Sequence, residues 1–199
     1  MTILYDSRNS GNGWKVRQLL ALLGQPFERR VLNLAQGESR TAEFLRLNPL
    51  ARIPVLQTAQ GLVLRESNAI LLHLANATPY LPDDPEGRAE VLQWLFFEQA
   101  DHLRFFARPR FLVSIARTMA ADAPEVLALR EQGLKALAAM EAHLATHDYF
   151  AAGRYSIADI ALYPYTRMAP MGGYDLQPYP RVLAWLDRIG TRPDTIALP

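Results

Sequence analysis

Two short stretches hold the residues best suited to recognising a small molecule. In Ile53-Pro54-Val55-Leu56 a proline stands at the entrance of a short apolar strand. Main chain turned outward at such a point can pair with an extended peptide, as an added strand would. In Arg65-Glu66-Ser67-Asn68-Ala69-Ile70 an acidic residue and a hydroxyl open an apolar helix. Glu66 can accept bonds from an ammonium, and Ser67 with the free N–H groups beside it suits a carboxylate. Together they would hold a small peptide by its backbone and leave its reactive end elsewhere. The plainer readings are a trans proline blunting a strand edge and a helix cap. The chain has no cysteine, so any thiol chemistry must use a sulfur that arrives with the substrate.

The elements that must position these residues fall into two parts. The chain has 199 residues, 50% hydrophobic and 21% charged, with a formal net charge of +1. This is globular composition. The charge gives no reason to expect nucleic acid, which calls for a clustered basic surface, and there is no apolar run of membrane-spanning length. Without a recognisable leader at Met1-Thr2-Ile3-Leu4-Tyr5-Asp6, the expected location is the cytoplasm. Thr2 to Tyr5 reads as a strand, and Asp6 to Gly13 as a polar, glycine-bearing loop. Val16, Leu19, Leu20 and Leu23 recur at helical spacing, closed by Gly24. Pro26 to Leu34 reads as a second strand and Thr41 to Leu47 as a short helix stopped by Asn48-Pro49. Pro54 to Gln57 and Leu62 to Arg65 form a hairpin, and Ser67 caps a helix carrying Ile70, Leu71 and Leu74. The order is βαβαββα, with the first two strands parallel. Residues 1–78 form this α/β domain and 79–85, Pro- and Asp-rich, a linker. Residues 86–199 form an all-α domain, with helices starting near Val91, from Glu125 to Ala145, Ser156 to Met168 and Tyr179 to Ile189.

Four motifs, in this order and spacing, carry a family resemblance: Ser10-Gly11-Asn12-Gly13-Trp14-Lys15-Val16-Arg17, Asn48 through Leu56, Glu66-Ser67-Asn68-Ala69-Ile70, and Ser156-Ile157-Ala158-Asp159-Ile160-Ala161. With them the chain resembles a cytosolic glutathione transferase of bacterial type with a serine-type active site, over essentially its whole length. The resemblance implies a thioredoxin-like N-terminal domain, an all-helical C-terminal domain, glutathione as co-substrate with no permanently bound cofactor and no metal, and a homodimer. It implies a cis bond at Pro54, with the main chain of Val55 turned outward to pair the tripeptide and Ile53 beside it in the glutathione site. Glu66 and Ser67 then take the γ-glutamyl group, while Arg52, with Arg40 as a second cation, takes the glycyl carboxylate.

Ser10 is the implied catalytic residue and Asn12 the second candidate. A free thiol has a pKa near roughly 8.5, so a hydroxyl or amide donor at the positive end of a helix favours the thiolate. Ser, Gly and Asn are also ordinary turn formers. Lys15 and Arg17 either raise the local potential or are solvated. The electrophile pocket is expected from Phe105, Phe106, Arg108 and Phe111, with Trp14, although aromatic residues at helical spacing are more often core. Ser156 and Asp159 form the family's capping box, a structural feature. The Ser-Ser-Cys of maleylacetoacetate isomerases is absent, as is the cysteine of the beta and omega types. The expected function is conjugation of glutathione to small apolar electrophiles. The alternatives are reduction of disulfides or peroxides, and a non-catalytic binding or regulatory protein.

Overall fold

The computed structural model describes residues 1–199, which divide into two compact units: Met1–Asn76 with Ile196–Pro199, and Ala77–Thr195. The last four residues, read from sequence as part of the helical domain, therefore belong with the first unit.

In the first unit, β1 (Thr2–Asp6), β2 (Phe27–Val31), β3 (Val55–Gln57) and β4 (Val63–Arg65) form one sheet in the order β2-β1-β3-β4. β1 runs parallel to β2 and antiparallel to β3, and β3 is antiparallel to β4. The helices are α1 (Gly11–Leu22), α2 (Ala42–Leu47) and α3 (Ser67–Ala75). Side chains alternate across a strand, and both faces of this sheet are covered. Leu4 and Leu56 point to one face and pack with Val16 and Leu20 of α1 and Ile70 of α3. Tyr5 and Val55 point to the other and pack with Phe44 of α2. The edge strand β2, with sequence Phe-Glu-Arg-Arg-Val, is mostly exposed. Its charges protect an open strand edge from pairing with other chains.

Two element ends differ from the sequence reading. α1 begins at Gly11, within the expected loop, because Ser10 caps it and accepts from the Gly13 N–H. At α3 the cap position belongs to Glu66 and not to Ser67, which is already the first helical residue.

The C-terminal tail is tied to α1 at two points. The Trp14 Nε1–H donates to the Ile196 carbonyl at 3.1 Å, and the Ile196 N–H donates to Gln18 Oε1 at 2.8 Å. Trp14 and Gln18 stand four residues apart on one helix face. That face offers a donor and an acceptor to the main chain of a single residue.

The second unit is helical: α4 (Pro85–Phe97), α5 (Leu103–Arg110), α6 (Pro124–His143), α7 (Ile157–Arg167) and α8 (Pro180–Gly190). Wider π turns at Glu98–His102 and Phe111–Ile115 flank α5. Pro109 lies inside α5 and cannot donate to the carbonyl of Phe105, four residues back. The Tyr174 hydroxyl supplies that bond instead, at 2.6 Å. Gly133 on α6 makes room for it, since a β-carbon there would lie 2.1 Å from the Tyr174 oxygen.

Residues 157 to 166 of α7 are all buried. Its start carries the expected capping box. The Ala158 N–H donates to Ser156 Oγ at 3.2 Å, and the Ser156 N–H donates to Asp159 Oδ2 at 2.9 Å. Asp159 also receives the Phe150 N–H at 3.1 Å and the Trp185 Nε1–H at 3.0 Å. One carboxylate thus joins the start of α7 to the preceding loop and to α8.

Candidate functional site

The sheet register brings three loops to one end of the sheet. Tyr5 pairs with Val55, and Val55 pairs with Arg65. The loop after β1, the Ile53–Pro54 segment before β3 and the Glu66–Ser67 segment after β4 therefore leave the sheet side by side. The outer two stand about two strand spacings apart, roughly 9–10 Å, which is about the reach of three extended residues.

The β1–α1 loop carries Ser10, which is 8% exposed. Its hydroxyl oxygen accepts from the Gly13 N–H at 3.0 Å, and its N–H donates to the Ser7 carbonyl at 3.3 Å. A hydroxyl held through a lone pair keeps its proton to donate. Gly11 and Asn12 follow at the first two positions of α1, where main-chain N–H groups have no acceptor within the helix. The first helical bond runs from the Trp14 N–H to the Ser10 carbonyl at 3.0 Å. Asn12 is half-buried, and its Oδ1 is enclosed without a hydrogen-bond donor. This end of α1 thus gathers a hydroxyl proton, two free N–H groups and the positive pole of a 12-residue helix.

The Ile53–Pro54 peptide bond is cis. Val55 does not turn its main chain outward, as the sequence reading expects. It is paired with a strand on each flank, and in antiparallel ladders a residue's N–H and C=O both serve one flank. Ile53 lies outside β3 and leaves an unladdered main chain at this point. Arg52 is exposed, with its carbonyl held by Asn48 Nδ2 at 2.7 Å.

Glu66 adopts φ 63° and ψ 118°, a left-handed φ that disfavours a residue with a side chain by about 1 kcal/mol or more. This backbone turns the chain sharply from β4 into α3. Its carbonyl accepts the Ile70 N–H at 3.0 Å, and the N–H of the buried Ser67, at the first position of α3, has no acceptor within the helix. Arg40 closes a short 3-10 turn before α2 and is exposed. It sits outside the row formed by Tyr5, Val55 and Arg65.

Two expected pocket residues are core. Trp14 has no exposed surface and spends its indole N–H on the Ile196 carbonyl. Phe106 has none either, and its ring stacks on His102 at 4.2 Å and on Tyr174 at 4.7 Å. A fully enclosed ring cannot line a ligand pocket. Phe105 is half-buried, while Arg108 and Phe111 are exposed and touch each other, the guanidinium carbon lying 5.9 Å from the ring centre. Arg108 also stands 3.7 Å from Glu125.

Sequence reading missed a cluster around Asp6, a carboxylate with no exposed surface at the end of β1. Its Oδ2 accepts from Arg17 Nε at 3.0 Å and from Arg29 Nε and Nη2 at 3.1 and 2.9 Å. Its Oδ1 accepts the Ser7 N–H at 2.6 Å. Arg17 is therefore ion-paired and not freely solvated. Burial lowers the Arg17 pKa, and the Asp6 charge works against that shift. Gly13 leaves room for the Asp6 carboxylate, since a β-carbon there would lie 1.7 Å from Asp6 Oδ1. Lys15 is fully buried too.

The family model for the glutathione S-transferase N-terminal domain matches residues 1–76, and that for the C-terminal domain matches residues 88–193. The chain belongs to the glutathione S-transferase family. A glutathione S-transferase from Pseudomonas fluorescens Pf-5 is 41% identical, with a TM-score of 0.95 over 99% of this chain and 98% of its own. Ure2p in complex with glutathione is 26% identical, with a TM-score of 0.87 over 98% of this chain and 91% of its own. The Transcriptional regulator URE2 of Saccharomyces cerevisiae is 28% identical over 97% of this chain, which spans 66% of that protein's length. Glutathione S-transferases use glutathione as substrate or ligand, and the fold here is theirs: a thioredoxin-like α/β unit followed by helices.

Proposed function

We propose that the protein is a glutathione transferase that ionises the thiol of glutathione at the start of α1 and directs it at small apolar electrophiles. The observation that carries this reading is the row Tyr5, Val55, Arg65. It lines up a hydroxyl-bearing loop, an unladdered main chain and a helix start over the length of a tripeptide. Ile53 pairs the cysteinyl backbone beside Pro54, so the role first read for Val55 passes to Ile53. The γ-glutamyl carboxylate lies against Ser67 and the first N–H groups of α3, and Glu66 takes the ammonium. Arg52 faces the glycyl carboxylate, with Arg40 as the more distant cation. The sulfur falls near Ser10.

At neutral pH only a few per cent of a thiol with a pKa near roughly 8.5 is ionised. Donation from the Ser10 O–H, with the free N–H groups of Gly11 and Asn12, stabilises the thiolate relative to the thiol. The thiolate forms a bond to an electrophilic carbon, and the leaving group departs with its electron pair. Asn12 is the second donor candidate through its amide. Of the residues first read as the electrophile pocket, Phe105, Arg108 and Phe111 keep accessible surface and remain candidates. By family resemblance the assembly is a homodimer; light scattering that gives only a 22.4 kDa species would contradict this.

The test is turnover of a generic aryl halide by the protein and by its Ser10→Ala and Asn12→Ala variants. The expected result is activity that falls most in Ser10→Ala. A second reading, a glutathione-binding regulatory protein, is favoured by the likeness to a protein named as a transcriptional regulator. Retention on immobilised glutathione with no turnover across a broad electrophile panel would select it.

A further inference from the structure

Of the two hydrogen bonds that hold Ser10, one leads through Ser7 to Asp6 and the other to a glycine packed against Asp6. The Ser10 main chain is bound to the Ser7 carbonyl, and the Ser7 N–H is bound to Asp6 Oδ1 at 2.6 Å. The Ser10 hydroxyl is bound to the Gly13 N–H, and Gly13 lies so close to Asp6 that a β-carbon would fall 1.7 Å from Oδ1. Arg29 closes the frame, with Nη2 on Asp6 Oδ2 at 2.9 Å and 3.4 Å from the Ser7 carbonyl. Arg17, reaching across from α1, takes Asp6 Oδ2 at 3.0 Å.

If the fold alone were at stake, a packed apolar side chain would serve about as well as a buried ion pair. It could not fix the Ser7 N–H on one oxygen and two guanidiniums on the other while touching the first turn of α1. Asp6 with Arg17 and Arg29 carries a net charge of +1, so the carboxylate does not leave an uncompensated negative charge beside a forming thiolate.

We propose that Asp6, clamped by Arg17 and Arg29, is the positioning residue of the thiol site: it sets where the Ser10 hydroxyl stands relative to the sulfur. This rests on the reading of Ser10 as the thiolate donor. Asp6 itself touches no substrate in this account.

The test compares Asp6→Glu, which keeps the charge but adds a methylene against Gly13, with Arg29→Lys, which keeps the charge but loses the two-point grip. The pKa of the bound glutathione thiol is read from the ultraviolet absorbance of the thiolate, and glutathione affinity from calorimetry. The expected result is a rise of about one unit in the thiol pKa for Asp6→Glu and a smaller rise for Arg29→Lys. Affinity should stay within about threefold, because Ile53, Glu66 and Ser67 are untouched. A purely structural role would lower the melting temperature and leave the thiol pKa where it was. An unchanged thiol pKa in folded Asp6→Glu overturns the proposal, and if that variant does not fold, an unchanged value in Arg29→Lys does so. Should the unsubstituted protein take up no glutathione, or leave its thiol unperturbed, the reading of Ser10 itself fails. Uptake with a depressed thiol pKa, followed by unmoved variants, sinks only the role of Asp6.

Discussion

Asp6 and Asp159 are both carboxylates without exposed surface, one in each unit, and their surroundings differ in kind. Asp6 meets two guanidiniums. Asp159 is bound by neutral donors: the main-chain N–H groups of Phe150 and Ser156, the Ser156 hydroxyl and the Trp185 indole. Two guanidiniums balance the charge of the first beside the β1–α1 loop. Burial pushes the second up to about 6, with the Trp185, Phe150 and Ser156 donors pulling the other way. The same residue type thus fixes a loop in one unit and ties helices together in the other.

The largest expected effect breaks the comparison on the structural side. Asp159→Ala strands four buried donors and opens a void, which should cost about 3 kcal/mol or more. Denaturant unfolding measures this, and intact stability would show that the capping box is ornamental. On the reactive side, Ser10→Ala should slow conjugation about ten- to a hundredfold. It should cost only about 1 kcal/mol of stability, through the lost cap on α1. Comparing kcat/KM with the unfolding midpoint separates these two losses.

The pH dependence sharpens the contrast. A carboxyl raised from an ordinary 3.8 to about 6 binds more protons folded than unfolded between those values. Its contribution to stability is therefore fully present below about pH 4 and is lost as pH rises toward 6. The unsubstituted protein minus Asp159→Asn should show a stability difference falling by up to about 1.4 kcal/mol per pH unit across that window. A flat difference would mean that the donors hold Asp159 ionised throughout. The smallest effect concerns the tail. Gln18→Ala removes the acceptor for the Ile196 N–H, worth about 1 kcal/mol. That should lower the melting temperature by about 2–4 °C in a chain of this size, and no shift would show that the tail does not brace α1.

Much of the fold was legible because it follows local rules. The β-branched and apolar run at Thr2 to Tyr5, the proline before Val55 and the helical spacing of Val16, Leu19 and Leu20 each name an element without knowledge of its neighbours. Ser156 and Asp159 are three residues apart, so the capping box was legible for the same reason. The start of α1 was not, since Ser10-Gly11-Asn12-Gly13 is composed like a turn and only the Ser10 cap makes it helix. The Asp6 cluster was hidden because Arg29 is 23 residues away. It reaches Asp6 only through the parallel register, in which Arg29 stands opposite Leu4 on the same face of the sheet. Trp14 and Phe106 proved to be core and not pocket, a choice open in sequence because an aromatic at helical spacing looks the same whether it faces a pocket or the core. The Ile196 clamp has no periodic signature at all.

A crystal soaked with glutathione tests the central claim most directly. The account predicts the cysteinyl main chain paired with Ile53, the γ-glutamyl group against Glu66 and Ser67, and the sulfur within about 3.5 Å of Ser10 Oγ. A tripeptide bound with its sulfur away from the start of α1, or none bound at saturating concentration, would contradict it.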